Sequence, residues 1–176
     1  MNQLITNLKK DVSLRGTRQW DYKEQAIRQV GAAFRGVFNP QALPSMTFVP
    51  VPPSKAKDHP EYDDRMLRVL QQMAQANRLD IRELVLQGRS TQAAHKSQIR
   101  LQPQQLMALY AINETVAVPA PTSIFIVDDM LTAGCHFRAM KTVLQTRYPG
   151  VVVRGLFVAR RAIPDADDDF DVIEEN

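Results

Sequence analysis

An α/β fold with a mostly parallel central sheet is what the sequence predicts, on three observations. Segments with strand character alternate with segments of helical periodicity. The strand segments are apolar along their whole length, so both faces of the sheet must be covered by helices. At 176 residues the chain is long enough for one domain with a sizeable core. The expected organisation is a single domain over residues 1–164, with a small helical cap at 1–45 and the core at 46–164. An acidic tail follows at 165–176.

The elements follow in order. "NQLITNLKKDV" and "YKEQAIRQVGAAFRGVF" read as two helices, the second with Ile27, Val30, Ala33, Phe34 and Val37 at helical spacing. "NPQALP" breaks the pattern, and a short strand is expected from Thr47 to Val51, ending in a double proline. "EYDDRMLRVLQQMAQANRL" is a helix with Met66, Val69, Leu70 and Met73 on one stripe, and "IRELVLQ" is read as a strand, with helix as the alternative. From Gly88 to Gln102 apolar periodicity disappears, and a mobile loop is expected. A helix around "PQQLMALYAI", a strand from Ile124 to Val127, a helix from about Ala133 to Arg147 and the strand "VVVRGLFVAR" complete the core.

Composition narrows the functional classes. Hydrophobic residues make up 44% and charged residues 23%, which suits a globular chain, and no apolar run is long enough for a membrane span. "MNQLITNLKKD" has no apolar stretch of signal-peptide length, so a cytoplasmic location is expected. The single cysteine, Cys135, excludes an intrachain disulfide and a cysteine-rich zinc site. The net charge of +3 conceals an asymmetry: "DADDDFDVIEEN" holds seven of the 19 acidic residues. The other twelve face all 22 Lys and Arg, so the body carries +10. That suits an anionic partner, either a phosphorylated small molecule or nucleic acid.

The chemistry is concentrated in "SIFIVDDMLTAGCHF". Asp128 and Asp129 come at the carboxyl end of an apolar strand, where ligands of parallel sheets bind. Behind them "LTAGCH" offers small residues whose backbone amides can converge on an anion at a helix start. A phosphate cradle beside two carboxylates suggests a sugar phosphate, with the carboxylates accepting from its hydroxyls. Carboxylates beside a diphosphate also suit Mg²⁺.

"IFIVDDMLTAG" resembles the phosphoribosyl-diphosphate (PRPP) motif of the type I phosphoribosyltransferases, and its Thr-Ala-Gly is especially similar to the orotate enzymes. "FVPVPPSKAKDHPEYDDRMLRVLQQMA", "STQAAHKSQIRLQPQQLMALYAIN" and "VVVRGLFVARR" are similar to the competence-protein ComF branch, so the likeness covers roughly residues 47 to 161. The resemblance implies a type I phosphoribosyltransferase-like fold and a Mg²⁺-dependent reaction. A nitrogen nucleophile would displace diphosphate from carbon 1 of the sugar, and the charge on the departing diphosphate would need stabilising. It further implies roles. Asp128 and Asp129 hold the ribose hydroxyls and the metal. Thr132, Ala133, Gly134, Cys135 and His136 wrap the 5′-phosphate, and Ser54 and Lys55 face the diphosphate. Arg89, His95, Lys96 and Arg100 lie on a loop that closes over the substrate. Dimers are common among such relatives, so a homodimer is open to this chain.

Some positions depart from the family pattern. Thr132 stands where purine-salvage relatives carry an acidic residue, which leaves no obvious general base. His136 either donates to the phosphate, which would raise its pKa, or turns outward. Arg65 is read as a surface partner of Asp64 or Glu61, with a diphosphate role as the alternative. Trp20 and Tyr22 are read as packing rather than a wall for an acceptor base. Cys135 is given no catalytic role. Two other functions stay open beside the transferase: a non-catalytic sensor of PRPP or nucleotides, and a nucleic-acid-binding module. The latter lacks a recognisable helix-turn-helix, zinc-finger or aromatic RNA-binding signature.

Overall fold

The computed structural model describes residues 3–76, 78–88 and 102–161. In chain order the elements are α1 (Gln3–Leu8), α2 (Arg18–Arg35), β1 (Thr47–Pro50), α3 (Arg65–Met73), β2 (Asp80–Ile81) and β3 (Val85–Gln87). They continue with α4 (Pro103–Met107), β4 (Tyr110–Ile112), β5 (Ser123–Leu131), α5 (Cys135–Arg147) and β6 (Val152–Arg160). Four strands form an all-parallel central sheet in the order β2-β1-β5-β6, and helices flank it. The protein is α/β, with an arrangement compatible with a Rossmann-like fold. No helix among the described residues is long and apolar enough to cross a membrane.

Two apolar layers cover the sheet. On one face α2 and α3, with Leu8 of α1, pack Ile27, Val30, Phe34, Val69 and Leu70 onto Phe48 and Val127. On the other, α5, α4 and the antiparallel β3–β4 ribbon pack Met140, Leu144, Leu106 and Val85 onto Val49, Ile124 and Ile126. Residues from both faces of β5 are fully buried, the pattern its continuous apolar run predicts. The α3 stripe of Met66, Val69, Leu70 and Met73 is buried as expected.

Other expectations change. In α2 the buried stripe is Lys23, Ala26, Ile27, Val30, Gly31 and Phe34, while Ala33 faces solvent and Val37, beyond the helix, is 62% exposed. Helical rotation carries those two positions off the sheet-facing side. Gly31 sits where α2 crosses α3: a Cβ there would lie 2.5 Å from Cβ of Gln72 and 3.0 Å from the carbonyl oxygen of Val69. The first expected helix shortens to Gln3–Leu8, followed by a 3₁₀ turn at Val12–Leu14. "IRELVLQ" splits into two strands of different sheets, β2 beside β1 and β3 beside β4. The helix expected around "PQQLMALYAI" stops at Met107, and Tyr110–Ile112 is a strand. Short apolar runs are ambiguous between the two periods until a partner strand decides.

The topology fixes where a ligand can enter. From β1 the chain runs to β2 on one side of the sheet and later returns to β5 on the other. The connections out of β1 and β5 therefore diverge at the carboxyl ends of neighbouring strands, the switch point at which open parallel sheets form a crevice.

Candidate functional site

Both segments singled out in the sequence border that crevice. Residues 51–55 leave β1, and residues 128–136 complete β5 and open α5. The first correction concerns the aspartates. β5 does not end at Val127 but runs to Leu131, because β6 pairs alongside it as far as Leu131 opposite Arg160. β1 has by then ended, its last pair being Pro50 with Val127. Asp128 and Asp129 are thus successive residues of a strand. Period-two alternation sends Asp129 to the Val127 face with α2 and α3, and Asp128 to the Ile126 face with α5.

Asp129 is 3% exposed and fully paired. Its Oδ2 accepts from Arg65 Nε at 2.9 Å and Nη2 at 2.7 Å. Its Oδ1 lies 3.0 Å from Lys9 Nζ. Arg65 also donates Nη1 to Asp63 Oδ2 at 2.8 Å, and the same oxygen accepts from Lys23 Nζ at 2.7 Å. Lys23, wholly buried, also donates to the carbonyl of Lys10 at 2.7 Å and lies 5.3 Å from the ring centroid of Trp20. Burial lowers the pKa of Lys23, against the pull of Asp63. Burial alone would raise that of Asp129, but Arg65 and Lys9 outweigh it and hold the carboxyl below its ordinary range. This ionic chain overturns the expected partners of Arg65: it binds Asp63 and Asp129, not Asp64 or Glu61. Lys9, Lys23 and Asp63 escaped the sequence reading. The only signal for them was a lysine on the apolar stripe of α2, which requires a buried acid.

On the opposite face Asp128 Oδ1 accepts from the backbone N–H of Asp129 at 2.8 Å. Burial, then the adjacent Asp129 charge, pushes Asp128 up to about 7, against that hydrogen bond and the cations beyond. On this face Tyr110, 8% exposed, pairs its hydroxyl with His136 Nδ1 at 2.7 Å. Burial and then the Asp128 charge raise the Tyr110 pKa. His136 is therefore turned inward, and burial lowers its pKa despite Asp129, with Lys9 adding to the depression. A neutral imidazole accepting from Tyr110 at Nδ1 carries its proton on Nε2. Tyr110 was read as part of a helix, so its part here went unnoticed.

The connection from β5 to α5 is only Thr132, Ala133 and Gly134. Gly134 takes φ +74°, a left-handed conformation that glycine adopts without Cβ strain, and its carbonyl accepts the N–H of Arg138 at 2.9 Å. Thr132 and Ala133 are exposed, and no acidic residue stands in the first turn of α5. The amides that begin α5 thus carry the helix's positive end without a competing carboxylate in that turn.

No protein-family model and no curated protein matches the chain.

Across the crevice, the Ser54 carbonyl accepts from Gln87 Nε2 at 2.8 Å, which ties the β1 loop to β3. Lys55 Nζ lies 3.5 Å from Glu61 Oε2, a loose and mostly solvated pair. Arg89, His95, Lys96 and Arg100 lie outside the described residues. Two surface hollows lie outside the motif segments, one between α1 and α2 and the other lined by Met107, Tyr110 and Arg147. The candidate crevice is marked by its chemistry, not its depth.

The aspartate pair does not form a ready cation site. The two carboxylates project to opposite faces, and both oxygens of Asp129 are held by cations. Among the described residues no group of three or more His, Cys, Asp or Glu could hold a metal ion. As arranged, Asp128 and Asp129 do not by themselves make a resident Mg²⁺ site.

Proposed function

We propose that the crevice between β1 and β5 binds PRPP, and that the protein is a type I phosphoribosyltransferase-like transferase that passes phosphoribose to a nitrogen acceptor with release of diphosphate. The observation that carries this reading is the juxtaposition at the switch point. The two motif segments, far apart in sequence, leave neighbouring parallel strands at the same end. One supplies a tight loop and an uncontested helix start for the 5′-phosphate. The other supplies Ser54 and Lys55 for the diphosphate. Asp128 would accept from a ribose hydroxyl, and Asp129 would do so once one of its cations is displaced. Mg²⁺ belongs to this reading as a companion of the diphosphate and not as a resident ion of the protein.

In such a reaction the nitrogen lone pair attacks carbon 1 as the bond to diphosphate breaks, and the nucleophile later loses a proton. Lys55 and the basic residues of the 89–100 segment would offset charge on the leaving group.

A second reading has one observation in its favour. Asp129 is locked by two cations, which suits a protein that senses PRPP without turning it over. Calorimetric titration with PRPP, with and without Mg²⁺, tests the shared claim, with Asp128→Asn/Asp129→Asn as the control. Binding that the control loses supports the site. Diphosphate release with some nitrogen acceptor then selects the enzyme, and none with any acceptor selects the sensor. A folded protein that ignores PRPP ends both readings.

A further inference from the structure

We propose that Lys9, contributed by the amino-terminal helical layer, is an anion-binding residue of this site that moves from Asp129 to a phosphate group of the incoming ligand. The inference rests on the reading of the crevice as a PRPP site and assigns it a residue outside the segments that suggested it.

Among the described residues Lys9, Lys23 and Arg65 form ion pairs with two carboxylates, Asp63 and Asp129, so three cations share two acids. The three cations are not equally held. Lys23 is wholly buried, with both its partners in the interior. Arg65 is tied at three nitrogens to two carboxylates. Lys9 has one carboxylate oxygen, at 3.0 Å, and its side chain is 25% exposed. It is the cation that can leave at least cost.

Its backbone, in contrast, is anchored. The Lys9 N–H donates to the carbonyl of Ile5 at 3.0 Å, and Ile5 and Leu8 are buried at 1% and 0%. A flexible four-carbon stem on a fixed base can swing while α1 stays docked. Its starting point is fixed too: Asp129, 3.0 Å from the ammonium, lies on β5, the strand that leads directly into the loop assigned to the phosphate. When Lys9 departs, Asp129 keeps Arg65 and gains a free Oδ1 able to accept from a ribose hydroxyl. One exchange thus prepares both halves of the ligand's site.

The test titrates the full chain with inorganic diphosphate and with PRPP by calorimetry, comparing wild type, Lys9→Met and Lys9→Arg. Lys9→Met should weaken both ligands by about tenfold or more, the scale of one charge-assisted contact, and Lys9→Arg should restore most of it. The side-chain carbon-13 and nitrogen-15 shifts of Lys9 in the wild type should change when diphosphate is added. The assignment is overturned if Lys9→Met melts like wild type and binds both ligands equally well. Unchanged Lys9 side-chain shifts on diphosphate binding also overturn it, and decide the matter if Lys9→Met does not fold. A wild type that binds neither ligand removes the PRPP reading and this assignment together, whereas intact wild-type binding with an indifferent Lys9 removes the assignment alone.

Discussion

Arg65 and Asp129 meet side-on, Nε at 2.9 Å and Nη2 at 2.7 Å from the same carboxylate oxygen, and so join α3 to the central strand. A planar guanidinium held this way positions the carboxylate as well as neutralising it. Removing it leaves Asp63 with Lys23 and Asp129 with Lys9 as their remaining cations, and opens Asp129 Oδ2, in a largely buried setting. Arg65→Met should therefore destabilise the fold by about 3 kcal/mol, read as a lower urea midpoint at unchanged slope. Arg68→Met, which removes a more peripheral pair with Glu24, should cost well under half as much.

Asp128 and Asp129 should oppose each other in the pH profile of stability. Asp128 titrates near 7 in the folded chain and near 4 unfolded, so the folded state holds the extra proton between those values. Its contribution is present below about pH 4 and is lost as pH rises to about 7. Asp129, held below its ordinary range, contributes stability above the unfolded value and loses it as pH falls further. Asp128→Asn should raise stability at pH 8 by on the order of a few kcal/mol and flatten the decline between pH 4 and 7. Urea titrations at stepped pH measure both effects.

The left-handed Gly134 supplies a separable test of the loop. Gly134→Ala meets no hard steric neighbour, since Leu131 Cδ1 would be 3.6 Å away, so its cost is conformational and should be about 1–2 kcal/mol. If the loop cradles the 5′-phosphate, PRPP binding should fall at least about tenfold, more than the stability change explains. Calorimetry beside a thermal melt separates the two.

Tyr110→Phe removes the hydroxyl that pairs with His136 Nδ1 at 2.7 Å. Stability should drop by about 1 kcal/mol, and the imidazole should lose its fixed tautomer. Nitrogen-15 shifts of His136 report this directly: a uniform Nε2–H form in the wild type should give way to a mixture. Unchanged shifts would count against the hydrogen bond.

At the α2–α3 crossing, Gly31→Ala must push its methyl into Gln72 and the Val69 carbonyl. Loss of roughly 1–3 kcal/mol is expected, without change at the crevice, so PRPP affinity per folded molecule should hold.

What was legible in the sequence and what was not divide along physical lines. Continuous apolar runs at Ile124–Val127 and the α3 stripe announced their burial, since period and composition are local properties. The Thr-Ala-Gly turn announced a tight loop because the left-handed position there favours glycine. Where β5 ends was not legible, because that depends on how far β6 runs beside it. Nor was the meeting of Lys9, Lys23, Asp63, Arg65 and Asp129, since long-range ion pairing leaves no periodic trace. Tyr110 was hidden by a short apolar stretch that serves helix and strand equally well.

β1 stops at Pro50, and the next residues include Pro52 and Pro53, while β5 continues to Leu131. Proline has no N–H to add to a ladder, so the sheet loses a rung-maker on one flank of β5 just where its acids begin. The crevice is thus an unfinished seam: one strand is forbidden to continue, and its neighbour is left with an uncovered margin. Replacing both prolines by valine would let β1 zip onward beside Asp128 and Met130 and sew the opening shut. In this chain, the parting of β1 from β5 is written in residues that never need to touch a ligand.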